Sequence, residues 1–136
     1  MLAIFRIEGD AAADACRRAL AAEADLRGRL RTLNARRDAA GQPTTSVYLG
    51  LHVGDVFYGN IGSDERLDFT VIGPAVNEVN RIASMCRSVD RHVVMSSDFA
   101  AAVPDAERVR LVSVGRFALR GVGRAQELFT IDPELL

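Results

Sequence analysis

Between residues 51 and 81 the chain reads LHVGDVFYGNIGSDERLDFTVIGPAVNEVNR, and this stretch constrains the fold more than any other. Runs rich in β-branched and aromatic residues are interrupted by Gly54-Asp55, by the polar turn at 63–66 and by Gly73-Pro74. Strand, turn, strand, turn, strand and helix therefore follow one another without a linker. Pro74 suits the first helical position, where a missing N–H costs nothing, and the helix is expected to run to about Val89. Gly59, inside the second strand, suggests a bulge or a close backbone approach.

The flanks extend this pattern. Residues 1–5 form a short apolar run that predicts a buried strand. From Asp10 to about Ala40 an Ala/Leu/Arg-rich segment repeats apolar residues every three or four positions, which predicts a long helix ended by Gly41-Gln42-Pro43. Arg17, Arg18, Glu23, Arg27 and Arg31 are expected on its solvated surface, without partners. Strands are predicted at 46–53 and 56–61, joined by Gly54-Asp55, and then at 67–72 and 93–95. Ser96-Ser97-Asp98 caps a short helix reaching Val103. Further strands are predicted at 108–114, 116–119 and 128–131, with a turn at 121–123. Strands and helices alternate irregularly, so the class is α/β or α+β with a mixed sheet.

At 136 residues the chain makes one domain at most. Its 17 basic residues are all Arg, against 18 acidic ones. This balance offers no face built for nucleic acid or an anionic membrane. Cys16 and Cys86 match no metal-ligand spacing and read as small buried hydrophobes in a reducing compartment. His52, between Leu51 and Val53, reads as a hydrogen-bonded core or edge histidine. No apolar run has the length of a membrane span, and Arg6 and Glu8 follow residues 1–5 too closely for a signal peptide. A cytoplasmic globular domain is expected. Gly54 to Gly62 lacks the Gly-Lys ending of a P-loop.

Chemistry concentrates at the end of the opening stretch. Thr70 closes a strand, and Asn77 and Arg81 stand four residues apart on one helical face. A carboxamide beside a planar, permanently charged guanidinium suits a phosphate-bearing ligand with a polar sugar edge. Taken singly, Arg81 would pair with Glu78 at the surface and Asn77 would be an exposed helix polar residue.

The whole pattern resembles the class III nucleotidyl cyclase catalytic domain. GLHVG (50–54), the G-N-I-G turn (59–62), Asp68-Phe69-Thr70 in a dimerisation hairpin, V-I-G, and Asn77 with Arg81 occur in the family's order. GRFALRGVGRAQELFTI (115–131) is similar to its closing strand. The resemblance implies a ferredoxin-like α+β sandwich with a mixed sheet flanked by helices, of which residues 1–136 form the C-terminal portion. It implies that a 3′-hydroxyl attacks the substrate's own α-phosphate while two Mg or Mn ions neutralise charge and pyrophosphate leaves. Arg81 would stabilise the transition state and Asn77 orient the ribose. Thr70, with the Val71 backbone, would meet the base, and Asp or Thr there goes with adenine in the family, so ATP is expected as the substrate. Arg120 and Arg124 are candidates for the leaving phosphates.

The family's two metal-binding aspartates and its base-reading Lys would lie upstream of Met1, and its N-terminal strand and helices with them. The helix motif, usually N-x-A-S-R, here reads N-E-V-N-R. The family works as a head-to-tail dimer. This sequence is therefore expected to act in a homodimer or with a full-length cyclase partner, to be inactive alone and to be association-prone. A non-catalytic, nucleotide-binding half-domain and a guanylate cyclase are the alternatives.

Overall fold

The computed structural model describes residues 1–63 and 66–136, with side chains described outside 60–70. In chain order the elements are α1 (Ala12–Ala39), β1 (Leu49–Leu51), β2 (Phe57–Ser63), β3 (Arg66–Ile72), α2 (Pro74–Ser88), β4 (Val93–Ser96), α3 (Ser97–Ala102), α4 (Asp105–Arg108), β5 (Leu111–Ala118) and β6 (Ala125–Ile131). Four strands form one sheet in the order β1-β4-β6-β5. β1 runs parallel to β4, while β4–β6 and β6–β5 are antiparallel, so the sheet is mixed as expected.

Helices cover both faces. On one, Cys16, Ala19 and Leu20 of α1 meet Phe99 of α3 over Val93, Met95 and Ile131. On the other, Ile82 and Cys86 of α2 meet Val94, Leu119 and Leu128. Successive residues of β4 thus feed opposite cores, as a period of two requires, and all four are buried. The closeness of α2 to β1 depends on one glycine. A Cβ on Gly50 would lie 2.6 Å from the Val79 carbonyl oxygen and 2.7 Å from the Ala83 nitrogen, so any side chain there would push the helix off the strand.

β2 and β3 pair with each other in a separate two-stranded unit, Phe57 opposite Ile72 through Ser63 opposite Arg66. Gly54-Asp55 is therefore a crossing out of the four-stranded sheet, and the segments on either side of it do not pair. The expected strand at 46–53 shortens to the three residues that find a register with β4. Gly59 shows neither of its expected features, since the ladder is unbroken and nothing lies within 4 Å of its virtual Cβ. Residues 64 and 65 of the expected polar turn lie outside the described residues.

Residues 1–5 form no strand, because no described strand pairs with them. Phe5 nonetheless packs against the α1 side of the core. The strands expected at 108–114 and 116–119 are one strand, β5, with a register shift between Ser113 and Gly115. Gly115 takes φ +114 at that bulge. Ser96 caps α3 as expected, its Oγ accepting a hydrogen bond from the Phe99 N–H at 3.1 Å.

The α1 surface also differs from expectation. Asp14 accepts from Arg17 at 2.7 Å and Arg18 at 3.1 Å, and Asp25 accepts from Arg29 at 2.8 Å. Glu23 is buried, with only 5% exposed, and faces Arg27 at 3.4 Å. Both cysteines are free and buried, and burial raises their thiol pKa values. No described helix is long and apolar enough to cross a membrane.

Candidate functional site

α2 begins at Gly73, whose φ of +145 and ψ of 165 turn the chain sharply after β3. A Cβ on Gly73 would sit 3.1 Å from the Asp55 carbonyl oxygen, so the crossing out of β1 and the helix start are pressed together. The helix then buries Ile82 and Cys86 completely, and the Cys86 thiol donates to the Leu49 carbonyl at 3.4 Å. With that side turned inward, a step of 100° per residue places Asn77 and Arg81 on the opposite side. Both are exposed, and neither has a hydrogen-bond or ion-pair partner among the described residues.

The other predicted residues take varied positions. Val71 is half-buried on β3 opposite Tyr58. Thr70 stands on the same strand opposite Gly59, three positions before Gly73, and its side chain lies outside the described residues. The side chain of Asp68 lies outside them too. Arg120 and Arg124 are exposed in the turn between β5 and β6. Leu119 and Val122 of that turn join Ile82 and Cys86 in one apolar cluster, which brings the turn alongside α2. Arg120 and Arg124, without a partner among the described residues, thus flank a turn packed on the same side of the sheet as α2. Free guanidinium groups on a fixed backbone can pair with phosphate oxygens in a bidentate way.

Two residues have larger roles than their sequence context suggested. Glu78 is not the partner of Arg81. It turns inward, where its Oε2 lies 3.2 Å from His52 Nε2 and its Oε1 accepts from Gln126 Nε2 at 2.7 Å. His52 is indeed hydrogen-bonded in the interior, with Nδ1 at 2.8 Å from Ser96 Oγ. The signal for Glu78 was its phase, since it sits 100° from Asn77 and nearer the apolar stripe of Ile82.

Among the described residues no group of three or more His, Cys, Asp or Glu is placed to hold a metal ion. Asp14 and Asp25 of α1 are engaged by that helix's own arginines, and Glu23 faces Arg27. A cleft of about 400 Å³ between α1 and the segments 45–49 and 90–93 includes Glu23, Arg27 and Arg31 but none of the predicted site residues.

No protein-family model matches the chain. It is 30% identical over 117 residues to adenylate cyclase 1 of Rhizobium meliloti (strain 1021), covering 86% of this chain and 17% of that protein. An uncharacterized protein of Mycobacterium tuberculosis (strain ATCC 25618 / H37Rv) is 36% identical over 80 residues, 58% of this chain and 15% of that one. The chain therefore matches only a small part of these relatives' length. Among solved structures, the guanylyl cyclase Cya2 superposes with a TM-score of 0.69 at 26% identity, over 88% of this chain and 58% of that one. The adenylyl cyclase CyaB from P. aeruginosa superposes with a TM-score of 0.72 at 21% identity, over 88% and 60%.

Proposed function

We propose that this chain, a relative of the class III nucleotidyl cyclases in sequence and in fold, is the part of an adenylate cyclase catalytic domain that carries the transition-state and base-reading groups. Residues 1–136 form that part, and the reaction is the conversion of ATP to 3′,5′-cyclic AMP and pyrophosphate. The observation that carries the reading is the outward face of α2, where Asn77 and Arg81 stand exposed and without a partner among the described residues while the helix's other side is locked into the core.

Arg81 has the charge and geometry to stabilise negative charge that builds on the α-phosphoryl oxygens. Asn77, one turn earlier, can both donate to and accept from the ribose. Thr70 and the Val71 backbone read the adenine, and Arg120 holds the leaving phosphates. The divalent cations do not fit the described residues, and no step through them is assigned to this chain. Their ligands come from the complementary half of a full-length cyclase partner, and the chain alone makes no cyclic AMP. Burial of Cys16 and Cys86 as free thiols supports a cytoplasmic setting.

The test is complementation. The chain is mixed with a full-length class III cyclase whose own Asn and Arg at these two positions are replaced by Ala, and cyclic AMP is measured. Restored synthesis from ATP, abolished by Arg81→Ala, is the expected result. Failure to restore it, or restoration that survives Arg81→Ala, contradicts the reading. Cyclic GMP formed from GTP in preference would make the chain a guanylate cyclase part.

A further inference from the structure

α2 opens with Pro74 at its first position but has neither a side-chain cap nor an acidic first turn. Backbone alone closes this end, the Val76 N–H donating to the Gly73 carbonyl at 3.1 Å. Further along, Ile82 and Cys86 fix the helix by full burial. Asn77 and Arg81 occupy the segment between this uncapped start and the apolar anchor, which needs a side-chain hold beyond the packing of Val79 and Ala83 on Gly50.

Glu78 meets that need. Its two oxygens are held from two directions, by His52 Nε2 at 3.2 Å beyond the end of β1 and by Gln126 Nε2 at 2.7 Å on β6. His52 is in turn braced by Ser96 Oγ at 2.8 Å, at the end of β4. The Ser96 hydroxyl oxygen already accepts the Phe99 N–H, which leaves its own proton free to donate to Nδ1. That arrangement suits the tautomer with the proton on Nε2, aimed at Glu78. The network is well shielded: the side chain of His52 is 5% exposed, that of Glu78 22%, and Ser96 is fully buried. Gly54 closes it, since a Cβ there would lie 2.6 Å from the Ala75 Cβ and 3.2 Å from His52 Nε2.

We infer that Glu78, held by His52 and Gln126, is a positioning residue that sets where the first two turns of α2 present Asn77 and Arg81. The consequence for catalysis rests on the function proposed above; the anchoring itself does not. Two side chains, His52 just beyond β1 and Gln126 on β6, converge on one carboxylate adjacent in sequence to Asn77 and three residues before Arg81, and Ser96 of β4 braces His52 behind them. Loss of this anchor frees the helix start while the Ile82–Cys86 end stays packed. A shift of about 1 Å in a reacting group can cost about a hundredfold in rate.

The experiment compares wild type, Glu78→Ala and Glu78→Gln by amide hydrogen exchange and in the complementation assay. With Glu78→Ala, exchange at residues 76–81 should quicken at least about tenfold while residues 82–88 stay protected. kcat should fall about ten- to a hundredfold with KM unchanged. Glu78→Gln should restore both, because its amide keeps both contacts once His52 carries its proton on Nδ1. The ¹⁵N shifts of His52 should report that change of tautomer. Unchanged exchange at 76–81 in Glu78→Ala, or uniform loss of protection along α2, overturns the anchoring. If wild type gives no complementation at all, the proposed function fails while exchange and the His52 shifts still decide the anchoring.

Discussion

The two long helices treat their arginines in opposite ways. On α1, Arg17, Arg18, Arg27 and Arg29 face carboxylates three or four residues away on the same helix, so their charge supports the helix itself. On α2, Arg81 has a carboxylate three residues before it, yet Glu78 turns inward to His52 and Gln126. Among the described residues the guanidinium has no partner beside Asn77. The difference teaches that an arginine's meaning depends on where its nearest carboxylate goes. A self-paired arginine contributes to its own helix, whereas one whose partner is taken by the core is available to a ligand.

The contrast can be broken in graded ways. In the complementation assay Arg81→Ala should lower kcat about 10²- to 10³-fold, the range for removing one transition-state donor. Its melting temperature should match wild type, and loss of the fold instead would make Arg81 structural. Gly50→Ala should destabilise the domain by about 1–3 kcal/mol, since the added methyl meets the α2 backbone, which cannot yield as a flexible side chain would. Denaturant titration measures this, and a neutral result would mean that α2 does not lie flush on β1.

Glu23 gives a pH test on α1. Burial raises its pKa above the ordinary 4.5, with Arg27, Arg110 and Arg31 opposing the shift. With the folded pKa above the unfolded one, its contribution to stability is fully present below pH 4.5 and is lost as pH rises through the folded value. Glu23→Gln should therefore melt above wild type at pH 7, with the gap closing below pH 4.5. A gap of opposite sign would mean that the Arg27 pair outweighs burial. The smallest effect is expected for Arg29→Ala, at most about 0.5 kcal/mol, because the Asp25 pair is exposed.

Much of this was legible in the residues. The apolar repeat of α1, Pro74 at the start of α2 and the Ser96 cap each have a local physical cause, and each element is present. The resemblance pointed to the cyclase fold through motifs spaced along most of the chain, and the mixed sheet agrees. What failed depended on partners that local sequence does not name. Residues 1–5 have strand composition, but no described strand pairs with them. Gly54-Asp55 looks like a hairpin turn, yet it links two separate sheets. Gly50 and Gly54, not Gly59, permit a close approach, because α2 lies over both of them. The shared exposed face of Asn77 and Arg81 was readable from their spacing, whereas the inward turn of Glu78 required knowledge that His52 and Gln126 converge on it.

The most direct test of the central claim observes Arg81 itself. The chain, with ¹⁵N-labelled arginine, is combined with the unlabelled partner cyclase and titrated with a non-hydrolysable ATP analogue. The account predicts that the Arg81 Nε–Hε resonance shifts with saturation while those of Arg17 and Arg29 stay still. A stationary Arg81 resonance, or movement confined to the arginines of α1, would contradict it.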